Sequence, residues 1–447
     1  MSEDTVFALS SPVGGAIAIV RITGRGAYAA LGRVFRCKSA PEHRVMNYGH
    51  VIDPESGETI DSAMACFLKA PATYTGEDMA EIYIHGSRVI AKRTLSVLSR
   101  FLRPAEGGEF TKRAFMNGKL DLSQAEAVMD VISSVTEQGA RMAEEQLAGS
   151  IGSGIKDIED RLIDILSGVE AALDYPDELE EDTVSSLENE LAPIIDKLDY
   201  LIRGGNAARI FREGAAVAIL GAPNAGKSSL FNALMGTERA IVTSIPGTTR
   251  DTLEETLDIC GAPVRITDTA GIREGADEAE RIGVERARKA GERADLILIA
   301  IDGTKPIDEE SRALIAAANR GEYKKCILIF TKADKADFMP HENGENCAAL
   351  SPISVSSVTG EGIEELKERM AALLLTKEAE SALVTNSRHI YALAEAKAAL
   401  ETADAAMGTD LAAADIRTAL YALGQITGRE VTSDVIERIF SRFCVGK

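Results

Sequence analysis

The hydrophobic pattern changes three times along the 447 residues of this chain. Over residues 1–118, short apolar runs at 16–20 and 81–85 are bounded by glycines, and a helical pattern at 89–102 stops before Pro104. Runs of that length between glycines are typical of β-strands, and a proline commonly ends a helix. This first part therefore predicts an α+β domain.

Apolar positions then recur at helical spacing, which predicts amphipathic helices. The tetrapeptide Ser123-Gln124-Ala125-Glu126 predicts a capping box with its serine at the cap. Helical patterns continue at 161–173 and 184–201, and the acidic stretch 174–182 between them predicts a solvated loop. Residues 119–209 are therefore expected to be all-helical.

Residues 210–376 alternate buried apolar runs with helical patterns, an order that predicts a doubly wound, mostly parallel sheet. Strands are predicted at 215–220, 295–301 and 326–330, with a hairpin turn at Gly261-Ala262-Pro263. Helical patterns resume over 377–447, so we expect the sheet domain to be inserted into one discontinuous helical domain. The predicted fold class is multidomain α/β.

The segment Gly221-Ala222-Pro223-Asn224-Ala225-Gly226-Lys227-Ser228 fits the phosphate-loop pattern G-x-x-x-x-G-K-[ST]. A strand pattern enters it and a helical pattern leaves it, so backbone N–H groups and a helix N-terminus would surround phosphate oxygens. Lys227 would reach the β- and γ-phosphates, and the Ser228 hydroxyl would bind Mg²⁺. The chain is therefore expected to bind a nucleotide through Asn224, Ala225, Gly226, Lys227, Ser228 and Ser229.

Further segments follow in the order of a GTPase. Asp268-Thr269-Ala270-Gly271 would hold Mg²⁺ through water and meet the γ-phosphate, and Pro246-Gly247-Thr248-Thr249 lies where a nucleotide-sensing switch is expected. In Thr331-Lys332-Ala333-Asp334 the aspartate would select guanine. Thr331 replaces the usual asparagine and would make only part of its contacts. Ser356-Ser357-Val358 is similar to the last guanine-contacting loop.

Ile272 follows Gly271, where Ras-like enzymes place a glutamine that orients the attacking water. Isoleucine cannot orient water, so another group must do so. The side-chain carbonyl of Asn224 can coordinate a monovalent cation in place of an arginine finger, and an acid within 274–280 would position the water. Arg250 and Arg273 remain rival donors of positive charge.

The composition limits which binding partners and which cellular compartment are expected for this chain. The formal charge of −21 disfavours general RNA binding, because that affinity comes largely from neutralised phosphates. An RNA partner would need a local basic patch or a second protein. The six cysteines are scattered, which suggests a reducing, cytoplasmic environment. No apolar run approaches the roughly 20 residues that span a bilayer, so no membrane insertion is expected.

With these motifs the chain resembles the MnmE (TrmE) family of tRNA-modification GTPases over essentially its whole length. The most specific segments outside the GTPase motifs are Thr75-Gly76-Glu77-Asp78, Gly108-Glu109-Phe110-Thr111, the run from Asn117 to Glu126, and the ending Phe443-Cys444-Val445-Gly446-Lys447. The family usually has a proline before Gly-Glu-Phe. Here that residue is Gly107, which we expect to be a loop variation only.

The resemblance implies a homodimer with an N-terminal domain that binds 5-formyl- or methylene-tetrahydrofolate and an inserted, K⁺-dependent G domain. It also implies an FAD-containing partner, MnmG, with which such proteins add an aminomethyl or carboxymethylaminomethyl group to C5 of the wobble uridine of certain tRNAs.

The motif match assigns roles residue by residue. It implies Mg²⁺ ligands at Ser228 and Thr249, K⁺ ligands at Asn224, Thr243, Ile245 and Thr248, and further GTP contacts at Ser244, Pro246 and Gly247. It implies a catalytic glutamate at Glu280 and folate contacts at Arg21, Glu81, Lys119 and Lys447.

Alternatives stay open for one residue and for the function. Cys444 is either a small buried hydrophobe after a helix or, as the family implies, a group in the modification chemistry near the folate. The chain could instead be a ribosome-assembly or signalling GTPase, which would need an RNA-binding appendage. A third alternative is a folate-sensing scaffold whose nucleotide site only switches conformation.

Overall fold

A computed structural model describes residues 4–237, 256–267, 294–339, 352–380, 382–404, 408–441 and 443–446. Part of the expected site lies outside these ranges. The residues concerned are 243–249, 268–271, Glu280 and Lys447. Their roles stay predictions.

The N-terminal part is a seven-stranded sheet with helices packed on both faces. Its elements are β1 (Val6–Leu9), β2 (Ile17–Thr23), α1 (Ala27–Val34), β3 (Phe35–Cys37), β4 (Met46–Ile52), β5 (Thr59–Leu68), β6 (Met79–His85), α2 (Arg88–Leu98), β7 (Arg103–Pro104) and α3 (Glu109–Met116). The strands lie in the order β3-β4-β5-β6-β2-β1-β7 and are antiparallel except for β1 with β7.

One face of this sheet forms the domain core. Every second residue of β2, β5 and β6 packs against α1 and α2, including Val20, Ala65 and Ile82. Because strand side chains alternate between faces, the intervening residues form the opposite face. There Ile17 and Tyr48 are exposed. We call this second surface the open face.

The helical region begins after α3. Its first elements are α4 (Leu122–Ser133), α5 (Glu137–Leu147), α6 (Ser150–Asp174) and α7 (Pro176–Glu213). The predicted loop at 174–182 is wrong from residue 176 onward, since the backbone is helical from Pro176 and proline is favoured at the first helical position. Helix α7 also passes the predicted domain boundary at 209.

The predicted capping box is displaced by two residues. Asp121, rather than Ser123, caps α4, because its carboxylate accepts from the Gln124 backbone N–H. The Gln124 side-chain oxygen accepts in return from the Asp121 N–H at 3.0 Å. The Glu126 side chain therefore takes no part in the capping box.

The second sheet lies within the nucleotide-binding region. Its elements are β8 (Ala215–Leu220), α8 (Lys227–Thr237), β9 (Thr256–Ile259), β10 (Ala262–Thr267), β11 (Leu296–Asp302), α9 (Glu309–Asn319), β12 (Cys326–Thr331), β13 (Ile353–Ser354) and α10 (Ile363–Leu374). In the described part the strand order is β13-β12-β11-β8-β10-β9, parallel except for the β9–β10 hairpin. The hairpin turns at Cys260-Gly261, slightly earlier than predicted.

Helices cover both faces of this sheet. Val217 and Leu298 pack on the side of α8 and α10, whereas Ile297 and Leu328 pack on the side of α9. The doubly wound, mostly parallel sheet predicted from the sequence is confirmed. The carboxyl ends of β8, β11 and β12 therefore share one edge, where such folds bind ligands.

After the sheet the chain returns to helices, namely α11 (Lys377–Glu380), α12 (Ser387–Thr402), α13 (Thr409–Thr427) and α14 (Ser433–Phe440). Helices α6, α7, α12 and α13 share one apolar core that includes Leu162, Leu198, Leu393 and Ile416. The discontinuous helical domain is therefore confirmed. Among the residues that the structure describes, no helix is both long and apolar enough to cross a membrane.

The helical pieces are also joined by a buried polar cluster. The Glu126 carboxylate on α4 accepts from the Arg388 guanidinium at 2.6 and 3.0 Å and lies 2.8 Å from Nε2 of His389, both on α12. Burial opposes ionisation of Glu126, but the bonds from His389 and Arg388 outweigh it and hold its pKa well below the usual range. The carboxylate is thus a fixed charge between the two pieces.

Candidate functional site

The phosphate loop connects β8 to α8. At its start, a Cβ at Gly221 would collide with the Ala300 carbonyl oxygen, so only glycine fits this approach to β11. Asn224 is exposed and has a φ of 64°, a left-handed conformation that asparagine adopts more readily than most residues. Its side-chain carbonyl is therefore available at the rim of the loop.

The loop ends where α8 begins. The first turn of a helix has backbone N–H groups without partners inside the helix, which makes Lys227, Ser228 and Ser229 a suitable anion site. The Lys227 ammonium donates to the carbonyl oxygens of Gly221 and Ala222, at 2.6 and 2.9 Å. Ser228 is exposed at the helix start. These donors and this hydroxyl fit a phosphate chain with Mg²⁺.

The expected guanine-binding residues lie at the same edge, after β12. Asp334 accepts a hydrogen bond of 2.7 Å from the buried Ser356 hydroxyl, and this bond lowers the pKa of Asp334. Ser356 in turn accepts from the N–H groups of Val358 and Thr359. The loop at 356–358 therefore orients the carboxylate that is expected to recognise guanine.

Thr331 contacts the phosphate loop directly. Its buried hydroxyl lies 2.8 Å from the Ala225 carbonyl oxygen and 3.1 Å from that of Ile301, and it can donate to either. Threonine therefore still braces the phosphate loop at the position where the usual residue is asparagine.

Asp302, at the end of β11, is a site residue that the sequence reasoning missed. The Lys332 ammonium donates to Asp302 Oδ2 at 2.6 Å, and the Thr304 hydroxyl donates to Oδ1 at 2.7 Å. Burial raises the pKa of Asp302, but these bonds outweigh it and the net direction is downward. Its place at the carboxyl end of a buried parallel strand was the available signal.

Two of the expected folate contacts touch each other on the open face. Arg21 and Glu81 are direct cross-strand neighbours on β2 and β6, and Arg21 Nε donates to Glu81 Oε1 at 2.8 Å. Both side chains are partly accessible. Tyr83, which the sequence reasoning also missed, donates to the other oxygen of Glu81.

Lys119 lies against the loop that contains Thr75 and Gly76. Thr75, in the Thr75-Gly76-Glu77-Asp78 segment, bonds to Thr23 on β2 at 2.7 Å, and its carbonyl accepts from the Asn117 side chain at 2.7 Å. The Lys119 ammonium donates to the Pro71 carbonyl at 3.3 Å. The two resemblance segments around Thr75 and Asn117 therefore form one structural unit, while Lys119 does not touch Glu81.

The C-terminal segment lies against the N-terminal domain. The Gly108 N–H donates to the Cys444 carbonyl at 3.2 Å, and Gly107 pairs with Val445. A Cβ at Gly107 would lie 2.7 Å from the Phe443 carbonyl oxygen. Gly107 is therefore a close-packing position, and the expectation of a simple loop variation is wrong. Cys444 is half-buried, so both alternatives for its side chain stay open.

Comparisons with known proteins agree with this arrangement. The family model described as "GTP-binding protein TrmE N-terminus" matches residues 5–119, and the model described as "MnmE helical domain" matches residues 122–444. The tRNA modification GTPase MnmE of Natranaerobius thermophilus is 38% identical over 461 aligned residues, covering 100% of both chains. That of Geobacillus thermodenitrificans is 42% identical over 462 aligned residues, covering 99% of both chains.

Solved structures align with a smaller part of the chain. The G domain of the T. maritima FeoB iron transporter is 34% identical, with 36% of this chain and 99% of that chain covered and a TM-score of 0.27. Aquifex aeolicus Era bound to GDP·AlF4⁻ is 27% identical, with 41% and 66% covered and a TM-score of 0.28. At these TM-scores the superpositions do not bear on the family. On the full-length sequence matches and the two family models, the chain belongs to the MnmE (TrmE) family of tRNA modification GTPases.

Proposed function

We propose that this chain hydrolyses GTP to GDP and phosphate and that the hydrolysis serves wobble-uridine modification in certain tRNAs. The observation that carries the proposal is that the phosphate loop and the Asp334 carboxylate lie at one sheet edge, joined by Thr331. Guanine offers an N1–H and a 2-amino group, and an ionised carboxylate accepts both. The family assignment supports the tRNA role.

Potassium is proposed to take the place of an arginine finger. Its ligands would be Asn224, Thr243, Ile245 and Thr248, with Mg²⁺ on Ser228 and Thr249 and with Glu280 positioning the attacking water. The exposed, left-handed Asn224 supports this proposal, because alkali and alkaline-earth cations prefer oxygen ligands of this kind. When bound, GTP and the two cations supply the reacting phosphate and the positive charge around it.

The N-terminal domain is proposed to bind 5-formyl- or methylene-tetrahydrofolate through Arg21, Glu81, Lys119 and Lys447. The partly accessible Arg21–Glu81 pair supports this assignment, since its carboxylate can accept from the N–H groups of a pterin ring. The Lys119 ammonium, at the adjacent corner, can pair with the carboxylates of the folate tail.

A homodimer is proposed to form through the open face. Ile17 is 61% exposed and Tyr48 is 67% exposed there, and Met64 is the cross-strand neighbour of Tyr48. Exposed apolar side chains on one face of a sheet are typical of a protein interface. The partly accessible Arg21–Glu81 pair lies on this same face.

The tRNA is proposed to be held mainly by an FAD-containing partner of the MnmG type, in the cytoplasm. A formal charge of −21 leaves this chain poorly suited to bind phosphates over a large surface. The partner would then supply most of the basic surface, while this chain supplies the folate and the nucleotide-driven change.

Nucleoside analysis of tRNA from cells that lack this gene tests the proposal. We expect the aminomethyl-type modifications of C5 at the wobble uridine to disappear and to return with the wild-type gene. A Lys227→Ala gene should not restore them, since it removes the phosphate-binding ammonium. Unchanged modification in the deletion strain would contradict the proposal.

A further inference from the structure

Tyr83 lies on the open face two residues after Glu81, so the two side chains share that face of β6. Its hydroxyl donates to Glu81 Oε2 over 2.5 Å. Arg21 Nε donates to Glu81 Oε1 over 2.8 Å. One carboxylate is therefore held from two sides, with one donor on each oxygen.

The surroundings keep the phenol in its donating form. Met64 and Cys66 on β5 are the cross-strand neighbours of Tyr83 and Glu81. Burial, followed by the bond to Glu81, raises the pKa of Tyr83 to about 12. At neutral pH the hydroxyl therefore stays protonated and can donate to the carboxylate.

The Glu81 side chain is partly accessible, at 15% exposure, and its carboxylate keeps unused acceptor positions. An ionised carboxylate offers about four acceptor positions, and Arg21 and Tyr83 use one on each oxygen. The positions that remain match a ligand with two parallel N–H donors, as an arginine fork does for a carboxylate. The N3–H and 2-amino group of a reduced pterin form such a pair.

We propose that Tyr83 is a positioning residue for a tetrahydrofolate: it orients the Glu81 carboxylate toward the two N–H groups of the pterin ring. The proposal rests on the folate function proposed above for the N-terminal domain. The hydroxyl acts separately from the ring, since a phenylalanine would keep the apolar contacts beside Met64 and Ile19.

Calorimetric titration of the full chain with 5-formyl-tetrahydrofolate tests this role. We expect Tyr83→Phe to raise Kd about fivefold to tenfold, as the loss of one orienting hydrogen bond commonly does. Tyr28→Phe is the matched control, because Tyr28 is an exposed tyrosine on α1 of the same domain whose ring packs against Phe67 on the opposite face of the sheet. Its Kd should equal that of the wild type.

A double-mutant cycle separates positioning from general damage to the sheet. If Tyr83 acts through Glu81, adding Tyr83→Phe to Glu81→Gln should weaken binding no further. Fully additive losses, or an unchanged Kd in Tyr83→Phe, would overturn the role of Tyr83 while folate binding stands. Absence of binding by the wild-type chain would overturn the folate function and this inference together.

Discussion

The Thr331 hydroxyl lies 2.8 Å from the Ala225 carbonyl oxygen, which places the segment proposed to recognise guanine directly against the phosphate loop. Both residues are almost fully buried, at 2% exposure each. The Thr331 side chain, at the end of β12, therefore helps to fix the position of the phosphate loop relative to the sheet. We therefore expect base recognition and phosphate binding to be coupled through Thr331.

Replacing Thr331 with valine should weaken GTP binding. Thr331→Val keeps the volume but leaves the buried Ala225 carbonyl without this donor, a loss of about 1 kcal/mol, or about fivefold in Kd. Titration with GTP measures the effect. Thr402→Val is a matched control, because the Thr402 hydroxyl bonds within an exposed helix end. Equal GTP affinities in wild type and Thr331→Val would contradict the coupling.

At this site the local motif could be predicted from the sequence, whereas the long-range contact could not. The phosphate loop could be predicted because its signal is local, with a buried strand, a glycine-rich turn and a helix in succession. The Thr331–Ala225 bond joins residues 106 positions apart, and no local pattern reports it. The Tyr83–Glu81 bond is similar. The alternation of strand side chains places Tyr83 on one face of β6 but does not show which oxygen its hydroxyl contacts.

The misplaced cap has a comparable cause. Asp121 and Ser123 are both good caps, so the local signal is ambiguous by two residues. Asp121 has Gln124 three residues later as its capping-box partner, whereas Glu126, which a Ser123 cap would need, is engaged by His389, 263 positions away. The local pattern alone does not show this long-range pairing of a buried charge.

Glu126→Ala should strongly destabilise the helical domain. It would leave the Arg388 guanidinium and the buried His389 without their carboxylate, at a cost of about 3 kcal/mol. A fall in melting temperature of about 6 °C or more is expected. The exposed pair Glu170–Arg417 provides the control, because Glu170→Ala should cost less than about 1 kcal/mol. Similar melting temperatures for the two variants would contradict the structural role of Glu126.

The same cluster makes stability depend on pH. Burial lowers the pKa of His389, although Glu126 beside it acts in the opposite direction, so folding favours the neutral ring. Below the ordinary histidine pKa of about 6.5, the unfolded chain binds a proton that the folded chain does not. Stability therefore falls as the pH decreases through that value. Between about pH 7.5 and 5.5 the melting temperature should drop less in His389→Gln than in the wild type. Equal drops in the two proteins would contradict a role of His389 in this pH dependence.

Glu280→Ala should bind GTP normally and lose hydrolysis. A group that positions water contributes typically about 10²-fold to 10⁴-fold to the rate. Single-turnover hydrolysis with saturating GTP measures the loss. Glu278→Ala, two residues earlier in the same acidic segment, should keep its rate. Normal turnover by the Glu280 variant would move the role to another acid.

Cys444→Ser should lower the modified-uridine content of tRNA in cells. The backbone contact of Cys444 with Gly108 does not depend on the side chain, and serine is nearly isosteric, so the segment should remain in place. Cys37→Ser, a partly accessible cysteine on β3, is the control. Wild-type levels of modified uridine would instead favour a packing role for Cys444.

The proposed GTP hydrolysis depends on a potassium ion bound at Asn224. The most direct measurement is steady-state GTP turnover by the purified full chain in KCl and in NaCl, with Asn224→Ala alongside. We predict a rate at least about tenfold higher in KCl for the wild type, as expected when a charge-stabilising group is supplied, and no such difference in the variant. Equal wild-type rates in the two salts would contradict the role of potassium in GTP hydrolysis.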